Sequence, residues 1–174
     1  MHLPPGVVPE TPGPGQESCW SYPRPPRLSP VRESIVITFA GVVVCRSETA
    51  LRILETSHPP TYYLPVSAWL PGSLRPGSGD SVCEWKGRAT YYDVVALDDT
   101  GRDVAVAENA AWGYPDPWPP YQALVDHVAV YPAAMDEVRV NGERVRPQDG
   151  GFYGGWITGR VVGPFKGSAG SWGW

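Results

Sequence analysis

Glu84 and Lys86 stand two residues apart in Ser81-Val82-Cys83-Glu84-Trp85-Lys86-Gly87-Arg88. In a strand, period-two alternation turns a carboxylate and an ammonium at this spacing to one face, together with Val82 and Arg88. On an open sheet face they form a solvated ion pair worth about 0–1 kcal/mol. Beside a cleft the same two groups tune each other's proton affinity and serve as an acid–base pair. The alternation turns Cys83, Trp85, Gly87, Ala89 and Tyr91 to the opposite face. Cys83 would be a nucleophile only with a base or cation beside it, and His58 and His127 are the candidate histidine bases. Its place with Trp85 favours a buried structural thiol.

A second polar constellation is Arg52, Glu55 and His58, at i, i+3 and i+6. Ala50, Leu51, Ile53 and Leu54 fall on one stripe, Ser47 precedes them as a cap and Pro59-Pro60 ends the run, so the pattern predicts a short helix over 48–56. Arg52 would then bind an anion bidentately and His58 would shuttle protons near neutrality. A salt bridge and cap at a helix end is the structural alternative. Tyr62, Tyr63, Tyr91, Tyr92, Trp112 and Tyr114 are the candidate walls of a pocket, and aromatic burial in a β-rich core is the competing account of them.

The elements that must hold these residues are mostly strands and turns. The chain of 174 residues has 21 Pro, 20 Gly and only 18% charged residues, with 8 Trp, 9 Tyr and 3 Phe. Such aromatic content argues for a folded domain, and the Pro and Gly content for many turns. Ser34–Phe39 and Val42–Cys45 around Ala40-Gly41 read as a hairpin, as do Val138–Val140 and Glu143–Val145 around Asn141-Gly142. Thr61–Pro65 is extended, 71–80 reads as a loop, and a strand runs from Ser81 through Leu97 to a turn at Asp98–Gly101, resuming over Val104–Ala107. Trp112–Pro120, with four prolines, is irregular but packed, and one helical turn follows near Tyr121–Val125. Residues 1–17 read as a disordered or polyproline-like leader, and 18–174 as one β-rich domain with an N-terminal arm and a glycine-rich tail laid over the sheet.

Net charge and cysteine usage limit the partners. A net charge of -4 excludes a generally basic nucleic-acid binder, although Arg24, Arg27, Arg46, Lys86 and Arg88 beside aromatics could form a local single-strand surface. Nucleic acid is therefore a minor candidate. Cys19, Cys45 and Cys83 have neither zinc-pair nor disulfide-framework spacing, and no metal-ligand cluster can be assembled. No signal-peptide core or membrane span is evident, so the expectation is a cytoplasmic protein with reduced thiols.

Cys83-Glu84-Trp85-Lys86-Gly87, then Ala89, Tyr91, Tyr92 and Trp112-Gly113-Tyr114-Pro115, resemble the signature of the domain of unknown function family 427. Trp20–Pro26, Leu54–Tyr63 and Gly151–Thr158 extend the resemblance over 18–174, to longer bacterial members with a proline-rich arm and glycine-rich tail. It implies a compact mainly β fold, sheet- or barrel-like, similar to the β-tent folds, with one short helix. Val130-Tyr131 replaces the family's usual Phe-Tyr, implying altered packing there or an enlarged pocket. Some members carry a nucleotidyltransferase-like label. Here Gly77-Ser78-Gly79 opens no helix and Asp98-Asp99 lies in a turn, so the phosphate cradle and clustered metal-binding aspartates of that chemistry are missing.

These readings converge on an enzyme without cofactor or metal, acting on a small organic molecule by acid–base chemistry: isomerisation, cyclisation, elimination or hydrolysis. Glu84 and Lys86 are its catalytic pair, and Arg52, His58, Tyr62, Tyr91, Trp112 and Tyr114 bind the ligand. The alternative is a non-catalytic module that binds a small molecule or protein, with self-association as a further partner class.

Overall fold

A computed structural model describes residues 3–174. The protein is mainly β, built on two antiparallel sheets. The hairpin read around Ala40-Gly41 forms as β3 (Ile35–Phe39) and β4 (Val42–Ser47). Both turn residues have positive φ, 48° and 76°, the geometry that matches the twist of the flanking strands. With β11 (Glu137–Val140) and β12 (Glu143–Arg144) they make a four-stranded sheet, ordered β12-β11-β3-β4. Asn141-Gly142 repeats the same turn at φ 50° and 81°.

The larger sheet has seven strands, ordered β2-β5-β6-β10-β9-β8-β7, and curls into a half-barrel. In chain order these are β2 (Arg27–Val31), β5 (Ala50–Leu54), β6 (Thr61–Pro65), β7 (Leu74–Cys83), β8 (Gly87–Leu97), β9 (Asp103–Gly113) and β10 (His127–Val130). Two short pairs tie the ends of the chain to this body. β1 (Glu17–Ser18) runs parallel to β15 (Val161–Val162), and β13 (Arg146–Pro147) pairs with β14 (Trp156–Ile157). Among the described residues the helical pieces are three-residue 3-10 turns, one of them Gln122–Leu124 inside the turn expected after Tyr121.

The helix expected over 48–56 is instead the Ser47–Thr49 turn and strand β5. β5 is paired on both sides, Leu28↔Ile53 with β2 and Arg52↔Tyr62 with β6, and buries side chains on both faces. Two-sided burial produces the same apolar run as a helical stripe, and a run of five residues is too short for periodicity to separate them. The Ser47 hydroxyl closes the turn by donating to Thr49 O at 2.7 Å rather than capping a helix.

The loop expected over 71–80 is largely β7, an edge strand, where proline is tolerated because one side of the ladder is free. Its Pro76–Asp80 stretch is a bulge against β8. The strand expected to run unbroken from Ser81 is a hairpin: β7 ends at Cys83, Glu84-Trp85-Lys86 turn, and β8 starts at Gly87. Gly87 makes this three-residue turn fit, since its φ is +97° and a Cβ there would lie 3.1 Å from the Trp118 ring. β9 continues well past Ala107, to Gly113.

The main core lies between the two sheets. Ile35, Ile37 and Val44 of the smaller sheet meet Tyr62, Leu64, Val94, Val128 and Val130 of the larger. Trp156 of β14 enters this core at 1% exposure, stacks on Tyr62 at 4.7 Å and donates from Nε1 to Val130 O at 3.2 Å. Val130, the departure from the family pattern, thus packs in the core. In the read leader, whose first two residues lie outside the described ones, residues 3–16 run along the tail. Glu10 N donates to Gly163 O at 2.8 Å, and Gln16 Nε2 to Gly159 O at 2.8 Å.

Candidate functional site

The opposite face of the seven-stranded sheet floors a cleft of about 450 Å3, a size suited to a small organic ligand. Antiparallel register decides which side chains reach it. Ile53 and Tyr63 on β5 and β6, Trp112 on β9 and Ala89 and Tyr91 on β8 face the cleft, while Tyr62, Leu64 and Val128 face the core. The wall at the open edge of the sheet is the β7–β8 hairpin with Ser81, Cys83 and Lys86. The segment after β5 supplies Glu55 and His58, and the glycine-rich tail supplies Tyr153 and Lys166.

Of the residues singled out in the sequence, Glu84, Lys86, His58, Tyr91, Trp112 and Tyr114 line this cleft. Arg52 and Tyr62 do not. They oppose each other on the core face of β5 and β6, a consequence of β5 being a strand and not a helix. Both Arg52 terminal nitrogens hold Glu17 Oε1 at 3.2 Å, and Tyr62 donates to Glu33 Oε2 at 2.9 Å. Arg160 also bonds Glu17 and Glu33, so this charge cluster fastens arm and tail to the sheet. Tyr63, adjacent to Tyr62, is the tyrosine that reaches the cleft, where it accepts from Trp112 Nε1 at 3.2 Å.

Glu84 and Lys86 are not side by side. Both belong to the hairpin turn, where period-two alternation no longer applies. Glu84 is exposed at the mouth, whereas Lys86 turns inward and is only 8% exposed. The Lys86 ammonium lies 5.5 Å from the Tyr114 ring centroid. No carboxylate among the described residues pairs with it, and its polar neighbours are the Cys83 sulfur, the Tyr63 hydroxyl and, farther out, Glu55. Burial works against the charged form, but these acidic groups outweigh it and hold the Lys86 pKa above the usual lysine value. Lys86 is therefore a cation at neutral pH.

Cys83 is half-buried on the cleft face beside that ammonium, not sealed in the core as the sequence favoured. Tyr114 sits beside Tyr63, ring centroids 6.2 Å apart, and lines the cleft with Cys83. Burial pushes the Tyr63 and Tyr114 hydroxyls up, so both are neutral donors at pH 7. Across the cleft, burial leads in lowering the His58 pKa, with Lys166 and Arg24 adding to it and Glu55 opposing. His58 Nδ1 lies 3.0 Å from Thr56 O, which fixes that nitrogen as the donor and leaves Nε2 as the lone-pair nitrogen. His127 contributes nothing here, because its Nδ1 engages Val125 O at 2.9 Å away from the cleft.

The tail residues are the part sequence reasoning missed. Tyr153 packs edge-on to His58 at 4.9 Å, and Lys166 lies 5.8 Å from the Tyr153 ring centroid. One available signal was Gly154, where a Cβ would fall 2.1 Å from the Trp112 ring. A glycine is needed there because the tail backbone crosses directly over that indole.

The cleft-lining signature and the fold are now joined by a family match: residues 27–141 fit the family described as Domain of unknown function (DUF427). The chain belongs to this family. No curated protein matches the chain. In this DUF427 domain Cys83–Lys86 of the signature form the hairpin wall of the cleft, and Trp112 and Tyr114 give its floor and the ring beneath Lys86. The nucleotidyltransferase-like label does not fit the donor set. Among the described residues no three His, Cys, Asp or Glu side chains come together as metal ligands. Gly77-Ser78-Gly79 lies in the bulge of β7, and Asp98 accepts from Thr100 N and Arg102 N within its own turn.

Arg24 and Arg88, two members of the basic surface read from the sequence, are paired with Glu55 and Asp80 at 3.1 and 2.6 Å. None of the helices of the described residues is long and apolar enough to cross a membrane.

Proposed function

We propose that the DUF427 domain binds a small organic anion with an aromatic or unsaturated body in this cleft and performs cofactor-free acid–base chemistry on it. The observation that carries the reading is Lys86: an ammonium 8% exposed, over an aromatic ring and without a carboxylate partner. The surroundings keep this lysine charged but give it no carboxylate of its own, and a carboxylate or developing enolate from a ligand would supply that partner. Tyr63 and Tyr114 add neutral hydroxyl donors for the same oxygen, the arrangement that stabilises charge forming at a carbonyl.

The proton acceptors on this site are His58, neutral at pH 7 with Nε2 as lone pair, and Glu84 at the mouth. Either would take a proton from carbon α to a carbonyl while Lys86 holds the oxygen, which is the first half of an isomerisation or elimination. We assign the protein to the cytoplasm, where its three free cysteines stay reduced.

The test uses 2-oxo acids and benzoates of graded size, with binding followed by calorimetry and α-C–H exchange in D2O by NMR. The expected result is binding that Lys86→Met removes, and catalysed exchange that His58→Gln or Glu84→Gln removes while binding persists. Binding without exchange by any compound identifies a non-catalytic binding module. Absence of binding across the panel overturns the reading.

A further inference from the structure

We infer that the ligand of this cleft is a hydroxylated aromatic acid, its carboxylate held by Lys86 and its hydroxyl by the Ser81–Tyr91 pair. This ligand class rests on the proposed anion site and adds a second pole to it. Ser81 Oγ and Tyr91 OH lie 2.9 Å apart, and both residues line the cleft. Ser81 is exposed and Tyr91 half-buried, so the bond they share is open to solvent and hence to a ligand. Each hydroxyl both donates and accepts. Whichever donates in the mutual bond, the other keeps its proton, and both keep lone pairs for a further partner.

Strand register sets the spacing of the two poles. Ser81 of β7 pairs with Ala89 of β8, and Tyr91 of β8 with Trp112 of β9. Thr90 pairs with Gly113, so Tyr114, the next residue, continues the row opposite Ala89. Ser81 and Tyr114 are then two strands apart, about 9–10 Å between backbones, and Ala89 contributes only a methyl group between them. The Lys86 ammonium stands over the Tyr114 ring at 5.5 Å, on one side of this gap, and the hydroxyl pair stands on the other. An aromatic ring with a polar group at each end matches such a gap. The Trp112 and Tyr131 rings, 4.4 Å apart, give it an apolar bed.

The chemistry of the second pole selects a hydroxyl over a second carboxylate. A carboxylate only accepts, whereas a ligand hydroxyl uses both the donor and the lone pairs that the Ser81–Tyr91 bond leaves. Arg88, on the same hairpin, is already held by Asp80 at 2.6 Å, and Lys166 belongs to the tail wall beside Tyr153. The two poles therefore differ in kind, a cation for the acid group and a neutral donor–acceptor pair for the hydroxyl.

Calorimetric titration of the full chain at pH 7 with cinnamate, 4-hydroxycinnamate and 4-methoxycinnamate tests this, since the three share a carboxylate and a ring. The expected result is that the hydroxyl tightens binding about five- to tenfold over cinnamate, and that the methoxy compound, which cannot donate, binds no better than cinnamate. Tyr91→Phe and Ser81→Ala should each bring the ratio of the first two affinities close to one, whereas Lys86→Met should weaken both acids by the same factor. Both hydroxyl variants change side chains open to solvent, and the wild-type ratio reads the ligand class even if either proves unstable. Equal binding of the first two acids by the wild type, lost in Lys86→Met, overturns the inference and leaves the anion site standing. A preference that survives both Tyr91→Phe and Ser81→Ala overturns the assignment to this pair. No binding of either acid overturns the inference, and the proposed function falls with it where the 2-oxo acids and benzoates fail as well.

Discussion

Replacing Lys86 by Met should cost the protein little stability and make its cleft useless for anions. The two side chains have similar length and volume, so the substitution keeps the packing against Tyr114 while deleting the charge. In the folded protein the ammonium is 8% exposed and has a ring face at 5.5 Å but no carboxylate. A cation–π contact of this kind contributes about 0.5–2 kcal/mol, and the surroundings outweigh the cost of burial, since they hold the Lys86 pKa above the usual lysine value. The charged form is therefore favoured in the fold, and deleting it should cost about 1 kcal/mol, which for a chain of this size lowers Tm by about 2–4 °C. For the ligand the loss is larger. Losing one charged hydrogen bond costs about 2 kcal/mol, a weakening of about thirtyfold in Kd. Calorimetric unfolding without ligand and titration with the best-binding carboxylate measure both numbers on the same two proteins. A variant that loses about 3 kcal/mol or more of stability, with unchanged anion affinity, would show that Lys86 is a packing residue and refute the argument from its charge.

Two further outcomes follow from the way arm and tail are fastened. Trp156→Ala removes a fully buried indole stacked on Tyr62 and should cost about 3–5 kcal/mol in urea unfolding; a loss under 1 kcal/mol would mean that the tail is not part of the cooperative core. Glu17 accepts from Arg52, Tyr22 and Arg160. Burial opposes its ionisation but these partners outweigh it and hold its pKa below the ordinary 4.5. A carboxyl depressed in the folded state stabilises above its unfolded pKa and loses that contribution as pH falls through the folded value. Wild-type stability should therefore drop more steeply below about pH 4.5 than that of Glu17→Gln, as read from denaturant midpoints between pH 7 and 3; parallel curves would remove Glu17 from acid sensitivity.

The sequence showed the hairpins and hid the centre of the sheet for one reason, the number of buried faces. β3 is joined to β4 by Ala40-Gly41 and β11 to β12 by Asn141-Gly142, turns whose chemistry is local, so they could be read from a few residues. β5 lies between two neighbours and is buried on both faces, so its alternation vanishes and a helical stripe fits equally well. The error propagated to function. On a helix Arg52 and Glu55 share a face, but on a strand Arg52 turns with Tyr62 into the core cluster and leaves the cleft to Ile53 and Tyr63.

The signature segment failed in the opposite direction. Alternation held for Cys83, Ala89 and Tyr91, which lie on paired strands, and broke for Glu84 and Lys86 because Gly87 at φ +97° makes them a turn. That break matters chemically, since a strand would have kept Lys86 beside an exposed carboxylate on the outer face. The turn instead separates the two charges, leaves Glu84 in solvent and drives Lys86 inward over the Tyr114 ring. The Cys-Glu-Trp-Lys-Gly order is thus best understood through its last residue: only a glycine tolerates the backbone angle and the Trp118 contact that fold a lysine back onto its own hairpin.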